Sequence, residues 1–316
     1  MTPKVRDHGG GLDAAIEKFG GKRADWLDLS TGINPVPYPV GDIDPDAWTA
    51  LPDKGAEQRL VVAARKFWSV PAGGAIVAAP GASALIARLP YVLGAPQMAW
   101  IKQPTYNEWQ AAFENAGWQV SPSDAAAPVH VHVHPNNPDG VVINRHDICP
   151  DSTVILDESF CDTMPTRSHV TLTGAGPVIA IKSFGKFWGL AGVRLGFAIG
   201  PEKLVSELKE SLGPWPVSGP AISIAARALA DNAWAEETRQ CLQRDAARLD
   251  GLMAAAGAGP ASGTDLFRLY NVDDAAAWQD KLARAHVWSR IFPYSPHMLR
   301  LGLPAPDRWP QLIAAL

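Results

Sequence analysis

Lys186 sits in the run SFGKFWGLAGVRLG, Ser183 to Gly196, between two segments that read as strands. A lysine amine attacks a carbonyl carbon when its pKa is depressed, and partial burial beside another cation supplies that depression. Ser183, Lys186, Gly192, Arg194 and Gly196 occur together by chance in only about one chain in several thousand. A glycine-rich loop carrying a solvated lysine is therefore the weaker reading. Lys182 is the rival amine, but it falls inside the preceding strand, where a charged residue near a sheet end is the simpler role.

Four upstream segments carry further polar groups in a fixed order. LDESF, Leu156 to Phe160, ends a strand with Asp157, and HPNNPDG, His134 to Gly140, is an Asn-Pro turn. Gly81, Ala82 and Ser83 open a helix after a strand, where free backbone N–H groups suit a phosphate. An ordinary helix cap is the plainer meaning of that turn taken alone. QPTYNEW supplies Tyr106, otherwise a core tyrosine.

Taken together, these pieces resemble the class I/II aminotransferases and their decarboxylase relatives, enzymes that use pyridoxal 5'-phosphate. The resemblance implies that Lys186 carries the cofactor aldehyde and that Ser183 and Arg194 bind its phosphate, with Gly81, Ala82 and Ser83 completing the phosphate cup. It further implies that Asn137 donates to the phenolic oxygen, that Asp157 keeps the pyridine nitrogen protonated, and that Tyr106 stacks on the ring. Phe160 departs from the pattern, since most aminotransferases have a hydrogen-bonding tyrosine there.

HMLRLG places Arg300 on a late strand, and Arg290 stands on the strand before it. A guanidinium fork suits a carboxylate or a phosphate, and a pair suits a substrate with both. His8-Gly9-Gly10 and DLSTGINP, Asp28 to Pro35, resemble the opening of the threonine-phosphate decarboxylases of cobalamin biosynthesis. That resemblance implies that His8 and Gly9 meet a substrate phosphate and Asn34 its carboxylate.

Two metal-like patterns are set aside. His130, His132 and His134 alternate along one strand, which spaces neighbours by roughly 6.8 Å, too far apart for three ligands on one ion. Asp42, Asp44 and Asp46 have calcium-loop spacing without the glycine and glutamate such a loop needs. No metal is expected.

The remaining composition limits the partners. A net charge of -4 without a basic run argues against nucleic acid. Three cysteines, Cys149, Cys161 and Cys241, form no disulfide or zinc spacing. No signal segment or long apolar run is visible, so a soluble cytoplasmic protein with a small phosphorylated amino-acid substrate is expected. Homodimerisation is the family expectation, although relatives' tyrosine before Pro-Asp is replaced in Leu51-Pro52-Asp53.

To position these residues, the chain alternates strand and helix: strands at Ala75–Ala79, Met98–Ile101, Val129–Val133, Val154–Leu156, Val178–Ile181 and Arg194–Ile199, with helices between. The fold class expected is α/β, a mostly parallel central sheet flanked by helices, aspartate-aminotransferase-like (fold type I), with a smaller α+β C-terminal domain. With 316 residues and 47% hydrophobic content, more than one core is expected. The divisions read are 1–40 for an N-terminal segment near the active site, 41–212 for the large cofactor domain, and 213–316 for a linking helix, near Ala221 to Ala256, and the small domain. In that small domain, strands are expected at Leu266–Tyr270, Val287–Phe292 and Met298–Leu301.

The resemblance implies decarboxylation of L-threonine O-3-phosphate. The alternative is a pyridoxal-phosphate aminotransferase such as one for histidinol phosphate. The two differ in which bond stands perpendicular to the cofactor ring, an angle that sequence does not show.

Overall fold

The computed structural model describes residues 6–124 and 127–316. The chain divides into two compact units, one of Pro37–Asn137 and Val141–Glu236, the other of Met1–Val36, Pro138–Gly140 and Glu237–Leu316.

The larger unit is built on a seven-stranded sheet in the order Ala75–Ala79, Gly196–Gly200, Val178–Ser183, Thr153–Asp157, Val129–Val133, Met98–Ile101, Gln119–Ser121. All its pairings are parallel except the two made by Gly196–Gly200, which runs against both neighbours. The central strands are buried along their whole length, as a sheet covered on both faces requires. Val131, Ile155, Ile179, Ile181 and Ala198 pack against Leu85, Leu89, Trp109 and Phe113 from the helices Ala82–Val92 and Glu108–Asn115.

Because Val129–Val133, Thr153–Asp157 and Val178–Ser183 run in one direction, Val133, Asp157 and Ser183 end on the same sheet edge. That edge is where open α/β sheets bind ligands. One edge strand, Gln119–Ser121, was not evident in the sequence; it is short and largely polar.

Lys182 is 1% exposed inside its strand, with Nζ 2.6 Å from Glu158 Oε2 and 3.5 Å from Asp162 Oδ1. Asp162 also accepts from the indoles of Trp68 at 2.9 Å and Trp188 at 3.3 Å. Burial alone pushes the Lys182 ammonium down; Glu158 and Asp162 outweigh it and hold the group above the ordinary lysine value. An ammonium fixed in its charged form is no nucleophile.

The smaller unit carries a four-stranded antiparallel sheet, ordered Arg290–Phe292, Ser295–Gly302, Phe267–Asn271, Ala261–Thr264. The segment Val287–Phe292, read from sequence as one strand, splits at the buried Ser289. Val287–Trp288 pairs in parallel with Leu27–Asp28, while Arg290–Phe292 joins the four-stranded sheet. The run near Ala221 to Ala256 is likewise two helices, Gly219–Ala228 and Asn232–Ala255. Asp231 lies at the break, where its carboxylate accepts from the Trp234 N–H as an N-cap does.

Removing one partner of a buried ion pair strands the other. Lys182→Ala is expected to cost about 3–5 kcal/mol, read as a lowered midpoint in urea unfolding; an unchanged midpoint would show that the pair contributes nothing.

Candidate functional site

A single cleft on the carboxyl edge of the large sheet is lined by Gly81, Ala82, Ser83, Tyr106, Asn137, Asp157, Ser183, Lys186 and Arg194, all nine of the candidate cofactor contacts. Ile86, Val133, Ser159, Phe160, Gly185, Ala191 and Leu195 complete its walls.

At one end of the cleft, helix Ala82–Val92 begins without a side-chain cap, which leaves its first N–H groups for an anion. Gly81 precedes it at φ +90°, and a Cβ there would lie 2.5 Å from Nη2 of Arg194. A side chain at Gly81 would be strained at that φ and would displace the guanidinium from across the turn. Arg194 is itself in the left-handed region at φ 54°, with Nη1 donating to Ala191 O at 3.2 Å. A non-glycine residue held there stores strain, which is tolerated where surrounding structure fixes it. Gly196 makes the same corner possible, because a Cβ on it would stand 2.4 Å from the Ala82 nitrogen.

At the other end stands Asp157, 2% exposed. Burial raises its carboxyl above the ordinary value, and Ser159, Trp109 and Lys186 pull the other way. Its Oδ1 accepts from the Ser159 N–H at 3.1 Å and hydroxyl at 2.5 Å, and its Oδ2 from the Trp109 indole at 2.8 Å. Neither donor was singled out from the sequence. Trp109 follows Tyr106 at helical spacing and Ser159 follows Asp157 within one turn, the only signals available.

Between the two ends, Lys186 lies in the turn after strand Val178–Ser183, its Nζ 5.4 Å from the centroid of Phe160. Phe160 thus presents an aromatic face to the lysine. The Tyr106 phenol is pushed up to about 12, first by burial and then by Glu108 and Asp157, while the Ser83 hydroxyl and Arg194 act against them.

A group with an anionic arm, a flat ring and a basic ring nitrogen matches this donor set. The free N–H groups and Arg194 suit the arm, and the buried carboxylate suits the nitrogen.

The candidate substrate residues all belong to the smaller unit. Arg290 and Arg300 are directly opposite each other on paired strands. Arg300 is 5% exposed, donates to Ser30 O at 2.9 Å and packs over Phe267. Burial and then Arg290 lower its pKa to about 10. Arg290 is held by the N-terminal segment: Nη1 is 2.6 Å from Asp7 Oδ1 and 2.5 Å from His8 O, and Nη2 is 2.9 Å from Asp7 O. Gly9 lies so close to Ser30 that a Cβ would come within 2.4 Å of its carbonyl oxygen. The His8 ring is exposed, and Asn34 is buried with Oδ1 accepting from the Val36 N–H at 2.9 Å.

Outside these groups, His134, Glu158 and Cys161 bring ligand-type atoms within 4.8 Å of one another. Each is already engaged. Glu158 binds Lys182, Ser168 and the His169 N–H, while His134 meets Arg167 O and the Ile143 N–H. The rings of His130 and His132 are 6.3 Å apart.

Among the described residues, neither ring nitrogen of His132 has a hydrogen-bond partner. Burial, helped by His130 and Lys102, lowers its pKa from 6.5 to about 4. Since the folded pKa lies below the unfolded one, its contribution is present above pH 6.5 and is lost as pH falls through 4. A His132→Phe variant should lose less stability than wild type between those limits, and the wild-type ring should titrate near 4 by NMR; titration near 6.5 would refute its burial in neutral form.

A model of the aminotransferase class I and II family matches residues 57–308. Threonine-phosphate decarboxylase from Sinorhizobium sp is 37% identical over 315 residues, 95% of this chain and 93% of that protein. The Pseudomonas aeruginosa protein of the same name is 35% identical over 98% of this chain and 97% of its own. The fold matches the crystal structure of histidinol-phosphate aminotransferase from Sinorhizobium meliloti in complex with pyridoxal-5'-phosphate, with a TM-score of 0.79 at 18% identity, covering 100% of this chain and 96% of that one.

Proposed function

We propose that this chain, which belongs to the aminotransferase class I and II family, is a pyridoxal-phosphate-dependent carboxy-lyase. It converts L-threonine O-3-phosphate to (R)-1-amino-2-propanol phosphate in cobalamin biosynthesis. The observation that carries this reading is the full-length likeness to threonine-phosphate decarboxylases at 35% and 37% identity, combined with a cleft whose donors fit the cofactor. The histidinol-phosphate aminotransferase alternative rests on the shared fold, and the sequence relatives of that name match a smaller share of the chain, 63% at 30% identity.

Bound in the cleft, pyridoxal phosphate supplies a cationic aromatic ring that accepts the electron pair left when a bond to the amino-bearing carbon breaks. The chain's own groups do the rest. Ser83, Ser183, Arg194 and the N–H groups of Ala82 and Ser83 hold the phosphate arm, with Gly81 admitting the guanidinium. Asp157 would keep a proton on the ring nitrogen, Asn137 would donate to the phenolic oxygen, and Tyr106 would cover a ring face. Lys186 would carry the cofactor through Nζ, and its amine is the group in the cleft placed to hold or move a proton at that atom. Phe160 offers no donor to the phenolic oxygen, which leaves Asn137 to set its protonation.

On the substrate, Arg300 and Asn34 take the carboxylate, while Arg290, His8 and Gly9 take the phosphate. Arg290 would then exchange its Asp7 carboxylate for the substrate phosphate, one anion for another, which keeps the half-buried guanidinium paired while the more exposed Asp7 turns to water. The enzyme works in the cytoplasm as a homodimer. Supporting the dimer are large apolar side chains left exposed on the larger unit, among them Trp48, Leu51 and Tyr91. No helix among the described residues is long and apolar enough to cross a membrane.

The experiment is turnover of threonine phosphate and free threonine by wild type and variants. Wild type should release carbon dioxide from the phosphorylated substrate and strongly prefer it. Arg290→Ala should lose about 2–5 kcal/mol in kcat/KM with that substrate and little with free threonine. Lys186→Ala should lose the yellow, borohydride-sensitive absorbance that Lys182→Ala keeps. Equal turnover of both substrates by wild type would defeat the phosphate assignment, and an absorbance surviving in Lys186→Ala would defeat the lysine assignment.

A further inference from the structure

Asp157 is reached by three donors among the described residues: the N–H and hydroxyl of Ser159 on Oδ1, and the Trp109 indole on Oδ2. An ionised carboxylate has about four acceptor sites, two on each oxygen. Ser159 therefore fills both sites on Oδ1. The site left over is on Oδ2, the same oxygen that Trp109 holds.

The two sets of donors differ in kind. Ser159 follows Asp157 within one turn of chain, so its bonds form with local backbone. Trp109 comes from the first turn of helix Glu108–Asn115, is 0% exposed, and packs in the core between helix and sheet. Its backbone N–H donates to the carbonyl of Tyr106 at 3.2 Å, which ties its stretch of chain to the aromatic residue lining the same cleft. Trp109 thus fixes where Oδ2 points relative to Tyr106. Its neutral donor also offsets part of the cost of keeping a carboxylate ionised away from water.

We propose that Trp109 is a positioning residue for the reaction: by holding Oδ2 of Asp157 in place, its indole N–H directs the remaining acceptor site of that oxygen at the ring nitrogen and keeps the nitrogen protonated. This rests on the pyridoxal-phosphate reading above. Losing the donor leaves Oδ2 free to turn, and it shifts the shared proton toward Asp157. Ring and acceptor then compete for one proton that wild type leaves on the ring.

The test loads wild type and Trp109→Phe with cofactor labelled with ¹⁵N at the ring nitrogen and records its NMR shift at neutral pH. Wild type should show a protonated ring nitrogen, and the variant a shift moved toward the unprotonated position. The variant's kcat should fall by about tenfold, the worth of one hydrogen bond to a charged group, with KM for substrate little changed. A cofactor analogue with carbon in place of the ring nitrogen should erase the difference between the two proteins, which a merely structural defect would not do.

If Trp109→Phe does not fold, wild type alone decides. Among its 12 tryptophans, the Trp109 indole N–H resonance should move between native cofactor and carbon analogue. An unmoved resonance, or an unshifted ring nitrogen with kcat within about twofold, overturns the proposal. Wild type that binds no cofactor would instead defeat the functional reading itself.

Discussion

Two adjacent carboxylates, Asp157 and Glu158, are buried at the end of the central strand, and how each is compensated organises the larger unit. A buried charge needs a partner or a full set of hydrogen bonds. Glu158 takes a countercharge, Lys182 at 2.6 Å, and is held below the ordinary glutamate value despite its burial. Asp157 takes neutral donors from Ser159 and Trp109, with Lys186 as a weaker charge influence. One carboxylate is closed off in structure; its neighbour keeps the capacity to meet a cation in the cleft. Strand alternation separates the roles by sending successive side chains to opposite faces. The end of the strand Val178–Ser183 decides between the two lysines. Lys182 is consumed by Glu158 and Asp162, whereas Lys186, past the strand end, lines the cleft.

In the smaller unit the constraint is repulsion. Arg290 and Arg300 are direct neighbours across a strand pair, an arrangement that like charges disfavour unless anions intervene. Asp7 and backbone carbonyls meet Arg290, and the Ser30 carbonyl meets Arg300. The close seat of Gly9 on Ser30 brings the N-terminal segment to Arg290. A doubly anionic substrate answers the same repulsion, which is the physical basis for reading these two arginines as a recognition pair.

Much of this was legible in the chain because the relevant signals are local. Ala75–Ala79, Met98–Ile101 and Val129–Val133 are bounded in sequence by turn residues, and their limits coincide with the strands. All nine cofactor candidates lie in short motifs at strand ends, and the parallel sheet brings them to one edge. What sequence missed depends on distant partners. Nothing within Val287–Phe292 says that its halves pair with different strands, and nothing near Trp109 names an acceptor 48 residues away. Lys182 looked like a charge near a sheet end; only its two carboxylate partners explain its complete burial.

Which bond to the amino-bearing carbon breaks separates a carboxy-lyase from an aminotransferase. The most direct measurement follows L-threonine O-3-phosphate labelled with ¹³C in its carboxyl group and ¹⁵N in its amine through single turnovers of the purified, cofactor-loaded protein. Release of the ¹³C as carbon dioxide, with the ¹⁵N retained in the aminopropanol phosphate product, is the predicted result. Transfer of the ¹⁵N to the protein-bound cofactor, with the ¹³C left in a keto acid, would contradict it.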